Sequence, residues 1–292
     1  MHEVPAIAET RVSYPDGALA STGAVVHVEA GEQGGWAVVL DRTAFHPVDA
    51  SWPDQPADRG IMRSGDSELS IITAVTGGFQ DGVLVYGENL SARLGTPGWT
   101  FCVVHLVDGP PPQVGAEVRI DVDEEHRAAL SAGHTACHLA ALALDAALAD
   151  AWGKPVNVDS LGNPAFDSLA VQRSAIEEFS SVDVYRVGKS LRRKGFRPEA
   201  LEDLESLAHR INWILGAWVS TGATVSIERA GDELSARRTW TCRLPEKTAT
   251  IPCGGTHLRS LSELSSIEVS LDATQVPGGT ALVMRTTAVP HQ

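Results

Sequence analysis

Two pairs of side chains with metal-binding chemistry, far apart in the sequence, constrain the fold of this chain most strongly. His134 and His138 stand four residues apart in GHTACH, and Cys253 and His257 stand four apart in CGGTH. Residues four apart on a helix share one face, so the two histidines can reach one ion together. Three imidazoles and one thiolate form a ligand set that zinc accepts. We therefore expect the fold to bring the two pairs to one zinc site.

The second pair encloses two glycines and a threonine. Gly254 and Gly255 permit a tight turn that directs the flanking cysteine and histidine to the same side. Thr256 in this turn, and Thr135 beside the first histidine, carry hydroxyl groups. Each hydroxyl either contacts a substrate or makes a local hydrogen bond, and the sequence leaves both alternatives open.

The other three cysteines are predicted to pack in the core. Cys137 precedes His138 by one residue, so its side chain points about 100° away from that ligand on a helix. Cys102 and Cys242 lie in strand-like runs and are expected to fill core positions. Four cysteines in 292 residues do not make a disulfide scaffold, and a reduced compartment fits this count.

The hydrophobic pattern divides the chain into a β-rich part and a mixed part. Short β-branched or alternating runs predict strands at 25–31, 35–41, 68–75, 82–87, 99–107 and 117–122. Good helix formers continue for more than twenty residues from Asp123, which predicts a helix carrying the histidine pair. We expect an α+β chain, with a small β-barrel-like domain at 1–115 and an α+β domain at 116–292.

The mixed part carries two further expectations. Gly133 lies inside the predicted helix, where glycine costs about 1 kcal/mol relative to alanine, so we expect a close neighbour to need that space. Residues 160–220 are predicted to be a mostly helical insertion. Strands are predicted after it, at 223–229, 236–244, 266–271 and 280–289.

The formal net charge of −14 argues against non-specific binding to nucleic acid. One segment differs, because six cationic residues lie close together: Arg186, Lys189, Arg192, Arg193, Lys194 and Arg197. They form either a phosphate contact or a solvated helix face. No apolar run reaches eighteen residues, so no membrane-spanning helix is expected. The N-terminal residues lack a signal-peptide pattern, and a cytoplasmic protein is the simplest expectation.

The motifs resemble those of the editing domains of alanyl- and threonyl-tRNA synthetases and of freestanding alanyl-tRNA editing proteins of the AlaX type. HTACHLA and CGGTH match the family pattern H-T-A-x-H-L-L followed by C-G-G-T-H. Upstream, Val122, Asp123 and Arg127 match an I-D-W-x-x-R run, with Glu124 in place of the tryptophan. From the residue alone, Arg127 either orients a carboxylate or a phosphate or, as is commoner for a helical arginine, is a solvated salt-bridge partner.

The resemblance extends into the β-rich part. The segment TAFHPVDASWPDQPADRG at 43–60 is similar to the family's T-x-F-Y-P-x-G-G-G-Q-P-x-D-x-G loop, although SWPD replaces the glycine run. Gln55 in this loop contacts the amino acid or the terminal adenosine, or is an ordinary loop residue. The resemblance implies a small β-barrel joined to an α+β editing domain, which agrees with the hydrophobic pattern.

The resemblance also implies an activity. Family members hold zinc on residues aligned with His134, His138, Cys253 and His257, and hydrolyse the ester between a wrong amino acid and the 3′ end of a tRNA. Zinc can activate water and polarise a carbonyl. Because four protein ligands fill a tetrahedral site, we expect His257 or His138 to be the weaker ligand. The cationic residues at 186–197 would then contact the tRNA.

Several alternatives stay open. The edited ester is seryl- or glycyl-tRNA(Ala), or, given the altered loop and Ala-rich composition, that of a threonine analogue such as fluorothreonyl-tRNA. Two other functions are alternatives to editing. The chain is a zinc-stabilised module that binds aminoacyl-tRNA or a protein without catalysis, or it is a metallohydrolase of a small aminoacyl ester. A homodimer is a further expectation.

Overall fold

The computed structural model describes residues 7–31 and 34–291. Residues 1–6, which belong to the N-terminal segment considered above, lie outside this range. The chain divides into two compact units. Unit 1 comprises Met1–Arg127, Arg229–Arg238 and Gly254–Thr256, and unit 2 comprises Ala128–Glu228, Thr239–Cys253 and His257–Gln292. The α+β class is confirmed, whereas the domain boundary expected after residue 115 stays a prediction.

Unit 1 is built mainly from strands. They are β1 (Arg11–Val12), β2 (Ala20–Ala30), β3 (Trp36–Leu40), β4 (Arg42–Thr43), β5 (Gly60–Ser64), β6 (Ser67–Gln80), β7 (Val83–Tyr86), β8 (Thr100–Val107) and β9 (Glu117–Val122). Each of the six strands predicted in this part is present. The short strands β1, β4 and β5 carry too few alternating apolar residues to be recognised from sequence.

Seven of these strands form one antiparallel sheet, in the order β5-β9-β2-β3-β8-β6-β7. Because β5 also pairs with β6, six of them form a closed ring and β7 extends it from β6. The structure thus has a ring of strands in this unit, and the expectation of a barrel-like domain stays a prediction. A buried cluster that includes Phe45, Met62, Phe101 and Ile120 forms the main core of the unit.

Unit 1 also contains a buried ion pair that sequence analysis misjudged. Arg127 Nε donates to Asp58 Oδ1 at 2.6 Å, and a terminal nitrogen of the same guanidinium pairs with Asp58 Oδ2. Arg127 also donates to the carbonyl of Ala44 at 2.8 Å. Both charged side chains are almost fully buried, so the alternative of a solvated arginine is wrong and that of an arginine held against a carboxylate agrees with the structure. Burying a charge is tolerated here because each partner satisfies the other.

The second part contains both helices and strands. They are α1 (Glu124–Ala147), α2 (Phe166–Ala170), β10 (Val171–Glu177), β11 (Ser180–Gly188), α3 (Lys189–Arg193), α4 (Leu204–Val219), β12 (Val225–Arg229), β13 (Arg238–Arg243), β14 (Thr248–Pro252), β15 (Leu264–Val276) and β16 (Gly279–Pro290). The expectation of a mostly helical 160–220 is wrong for residues 171–188. These residues form an antiparallel hairpin, because Val182, Val184 and neighbouring residues alternate with a period of two.

Unit 2 contains a four-stranded antiparallel sheet in the order β10-β11-β16-β15. Helix α4 lies on β15, where the Asn212 side chain exchanges two hydrogen bonds with the backbone of Val269, at 3.0 and 2.7 Å. A three-stranded sheet, β12-β13-β14, precedes the CGGTH segment. Apolar residues of α1 and α4, among them Leu139 and Ile211, join the main core of the unit.

Helix α1 carries the histidine pair and begins with Glu124 and Glu125, whose charges suit the positive end of a helix. The expected close neighbour of Gly133 is present. A Cβ atom at Gly133 would lie 2.4 Å from the carbonyl oxygen of Glu177 and 2.6 Å from that of Ser180. The β10–β11 hairpin therefore packs directly on the helix one residue before His134. Within the described ranges, no helix has the length and apolarity needed to cross a membrane.

Candidate metal centre

The two distant pairs meet in unit 2. The candidate ligand atoms of His134, His138, Cys253 and His257 all lie within 4.8 Å of one another. His134 is buried and the other three are partly buried. The three imidazole rings cluster tightly, with centroids 4.2 to 4.9 Å apart. This group of four could hold one metal ion.

The spacing of the donor atoms agrees with a tetrahedral zinc shell. Cys253 Sγ lies 3.5 Å from His134 Nε2 and 3.3 Å from His257 Nε2. Zinc bonds of ordinary length to sulfur and nitrogen place such atoms about 3.6 Å apart in a tetrahedron. The Nε2 atoms of His134 and His257 therefore face the thiol as metal ligands would.

His138 supplies an independent argument for a metal. Its Nε2 atom is buried and, among the described residues, has no hydrogen-bond partner. A buried nitrogen without a partner is costly, unless its lone pair binds something. Burial also lowers the pKa of His138 to about 3. The ring is therefore neutral near pH 7, which is the form that binds a metal.

Helix α1 and the loop after β14 position the ligands, and Thr135 connects them. Its hydroxyl accepts a hydrogen bond from the backbone N–H of Leu258 at 3.1 Å and lies 3.3 Å from His257 Nδ1. Thr135 is fully buried. The two histidines of α1 face the same direction because they are four residues apart on one helix.

The loop between Cys253 and His257 contains two glycines in different surroundings. Gly254 does not adopt a positive φ, and a Cβ atom there would meet no atom within 4 Å. The turn therefore does not use the left-handed backbone conformation that favours glycine at this position. Gly254 is exposed, whereas Gly255 is buried.

Gln55 and Thr256, two predicted substrate contacts, form a reciprocal pair within unit 1. Gln55 Nε2 donates to Thr256 Oγ1 at 2.8 Å, and Gln55 Oε1 accepts from the backbone N–H of Thr256 at 3.0 Å. Both residues are buried. These contacts hold Thr256, the residue of the CGGTH segment that directly precedes His257.

Comparison with known proteins places this site in a family context. The chain is 25% identical over 282 residues to the alanine–tRNA ligase of Halobacterium salinarum, which covers 93% of the chain and 25% of that relative. It is 35% identical over 102 residues to the alanine–tRNA ligase of Pyrobaculum neutrophilum, covering 35% of the chain and 9% of the relative. This chain is related to the alanine–tRNA ligases. The family resemblance predicted from HTACHLA and CGGTH is thereby confirmed.

The relationship covers only part of each relative. The alanine–tRNA ligase of Methanopyrus kandleri is 36% identical over 104 residues, which is 35% of the chain and 8% of that relative. The chain thus spans a quarter or less of the length of the three relatives compared here. No family model matches the chain.

Trp240 lies beside the four candidate ligands and was not among the site residues expected from the sequence. Its ring centroid lies 5.1 Å from that of His138 and 6.0 Å from that of His257. Trp240 is fully buried in β13. It gives the ligand cluster an apolar wall, and such walls control the access of water to a metal. The sequence predicted only a strand at 236–244, without a role for this residue.

The remaining cysteines behave as predicted. Cys137 is buried against Leu130 and Ile176, and its thiol donates to Asp183 at 3.5 Å. Cys102 and Cys242 are fully buried in β8 and β13. Within the described ranges, none of the four cysteines forms a disulfide bond.

The six cationic residues at 186–197 are all exposed, in β11, in α3 and in the loop after it. Arg186 donates to the carbonyl of Pro277 at 2.6 Å, and Arg197 donates to the carbonyl of Asp150. In the described part of the chain, none of the six forms an ion pair with a carboxylate. Their charges are therefore available to an anionic partner.

Proposed function

We propose that this chain is a zinc-dependent deacylase that hydrolyses the ester bond of a mischarged or non-standard aminoacyl-tRNA. The observation that carries the proposal is the cluster of His134, His138, Cys253 and His257 within 4.8 Å. The relationship to alanine–tRNA ligases supports an aminoacyl-tRNA as the substrate class. The metal is proposed to be zinc, because three nitrogens and one sulfur in near-tetrahedral spacing suit that ion.

When bound, zinc would lower the pKa of a water molecule and withdraw electrons from a carbonyl oxygen. The chain's own residues determine how that chemistry is positioned. Thr135 fixes the His257 ring by a hydrogen bond at Nδ1, which turns Nε2 toward the cluster. Trp240 and the buried face of α1 limit the access of bulk water.

His138 is proposed to be the more weakly held ligand. Within the described residues its ring makes no hydrogen bond, whereas the ring of His257 is held by Thr135. Hydrogen bonds to the second nitrogen of a histidine ligand strengthen its attachment to a metal. A ligand without such a bond exchanges more readily and leaves room for a substrate oxygen.

Thr135, Gln55 and Thr256 are proposed to act by positioning the ligands rather than by reading the amino acid. Their polar groups already make the internal hydrogen bonds described above. The exposed Gly254 leaves its backbone accessible, so Gly254 and Gly255 remain proposed substrate contacts. The exposed cationic residues at 186–197 are proposed to bind phosphates of the tRNA.

The test is a deacylation assay on seryl-tRNA(Ala), glycyl-tRNA(Ala), threonyl-tRNA and fluorothreonyl-tRNA, with alanyl-tRNA(Ala) as the cognate control. His134→Ala should abolish hydrolysis of whichever ester the wild-type protein cleaves, and Cys137→Ser should retain it. Zinc-loaded protein that cleaves none of these esters would refute the proposal. Activity on a small aminoacyl ester with none on any tRNA would refute its substrate class.

A further inference from the structure

A cavity in unit 2, outside the ligand cluster, brings together two lysines and an apolar surface. It has a volume of about 290 Å³ and is lined by Lys154, Pro155, Val156, Asn157, Leu169 and Lys194. The chain contains only four lysines, Lys154, Lys189, Lys194 and Lys247. Two of the four thus line one cavity in a chain whose formal net charge is −14.

A backbone hydrogen bond connects the segments that carry these two lysines. The N–H of Gly153 donates to the carbonyl of Gly195 at 2.8 Å, and the segments pair antiparallel through Trp152 and Phe196. Lys154 follows Gly153 directly and Lys194 precedes Gly195 directly, so this hydrogen bond brings both lysines to the same cavity. Two like charges that line one cavity repel each other.

Gly195 makes the close approach possible. Its φ is +105°, a conformation that side chains rarely adopt, and a Cβ atom there would lie 2.9 Å from Cβ of Lys154. The stem of Lys154 therefore packs against the bare backbone of Gly195. This local geometry holds the first lysine beside the turn that carries the second.

No acidic group compensates the pair. The lining residues include no carboxylate. Among the described residues, the only polar contact of the Lys154 ammonium is the carbonyl of Arg193, at 3.2 Å. Unfavourable local arrangements of this kind occur where they serve a ligand. The ligand that relieves this repulsion is an anion.

The rest of the lining defines which anion fits. Pro155, Val156 and Leu169 offer an apolar surface for a planar group, as apolar side chains do for an unstacked base. The side-chain amide of Asn157 is exposed and, in the described part of the chain, makes no hydrogen bond. Amide side chains can read the edge of an exposed base. The cavity volume suits one nucleotide, at the small end of the usual range for ligand sites.

We propose that this cavity binds one unpaired nucleotide of RNA, with its phosphate between Lys154 and Lys194 and its base on the apolar surface. The inference rests on the proposed RNA substrate and assigns a second contact to it. It concerns binding alone, so it can be tested without any ester.

The test measures the affinity for a fluorescent single-stranded RNA, with a blunt RNA duplex of the same sequence as the comparison probe. The variant is Lys154→Gln/Lys194→Gln, and the control is Arg93→Gln/Lys247→Gln, which removes the same charge at two exposed residues outside both the cavity and the cationic segment 186–197. One lost phosphate contact should weaken single-strand binding about fivefold near 0.1 M salt and reduce the salt slope by about 0.7. Asn157→Ala should weaken binding without changing the slope.

Equal affinities of wild type and the Lys154/Lys194 variant for the single strand would overturn the proposal. So would an equal loss in the control variant, or an equal loss of duplex binding. Binding of a nucleoside monophosphate alone, with no affinity for the RNA strand, would overturn it as well. Failure of deacylation with intact lysine-dependent RNA binding would refute the proposed hydrolysis and leave this site standing.

Discussion

Thr135 and His257, 122 residues apart, meet through a hydroxyl oxygen that lies 3.3 Å from the ring nitrogen Nδ1. The same oxygen accepts the backbone N–H of Leu258 at 3.1 Å. One side chain of α1 therefore fixes both the orientation of a candidate ligand and the backbone that follows it. Because Nδ1 is held by Thr135, Nε2 is the nitrogen left for a metal.

Removing the Thr135 hydroxyl should weaken metal binding. Thr135→Val keeps the shape of the side chain but loses both hydrogen bonds, and losses of such supporting contacts typically cost about 10–100-fold in metal affinity. Chelator competition for zinc gives the affinity. Thr135→Ser, which keeps the hydroxyl, should bind zinc within a few-fold of wild type. Equal zinc affinities for Thr135→Val and wild type would show that the hydroxyl does not position His257.

Cys253 and Cys137 should respond differently to the same substitution. Cys253→Ser removes a thiolate donor, so we expect about tenfold or greater loss of zinc affinity. Cys137→Ser should leave zinc affinity unchanged, because that thiol is buried against Leu130 and Ile176. Metal content after dialysis against a weak chelator measures both. If Cys253→Ser retained zinc and Cys137→Ser lost it, Cys137 rather than Cys253 would be the ligand.

Gly133→Ala should destabilise the protein. The added Cβ would overlap the carbonyl oxygens of Glu177 and Ser180, and overpacking of this kind costs about 1–3 kcal/mol. Gly216→Ala is the matched control, since a Cβ there meets nothing within 4 Å. It should stabilise α4 by about 0.5–1 kcal/mol through helix propensity. Urea unfolding measures both changes in the free energy of unfolding, and equal effects would contradict the close approach at Gly133.

Ionisation of the buried Asp145 carboxyl group should lower the free energy of unfolding as pH rises. Burial raises the pKa of Asp145 to about 8, with Asp167 and Asp159 adding repulsion, and its carboxylate accepts the backbone N–H of Asp167 at 2.7 Å. A raised pKa in the folded state means that its stabilising contribution is complete below about pH 4 and is lost by about pH 8. Asp145→Asn stays neutral, so its melting temperature should gain on wild type between pH 5 and pH 8.

The control for this pH dependence is Asp203→Asn. Asp203 caps α4, and hydrogen bonds from Ser206 lower the pKa of its carboxyl group. Its stabilising contribution is therefore complete above its ordinary pKa of 3.8 and is lost only at lower pH. The melting temperature of Asp203→Asn relative to wild type should stay constant between pH 5 and pH 8. A difference between Asp145→Asn and wild type that stays constant with pH would show that Asp145 does not titrate in this range.

Local sequence patterns were sufficient to predict whether most elements are helices or strands. Alternating β-branched runs marked β2, β3 and β6–β9, and the good helix formers after Asp123 marked α1. The two spacings of four residues identified the four candidate ligands. The hairpin at 171–188 was misjudged, because neighbouring helical segments on both sides dominated the composition of that region.

Only the tertiary structure decided which polar groups are buried together. Arg127 has the same helical context as a solvated arginine, and its burial depends on Asp58, 69 residues earlier in the chain. The hydroxyl of Thr135 meets His257, and Lys154 and Lys194 line one cavity, through an arrangement that no local pattern encodes. Sequence by itself determined most of the element types and the candidate ligand set, since both depend on spacing along the chain. The pairing of distant side chains depends on the packing of whole elements, and the fold alone specifies it.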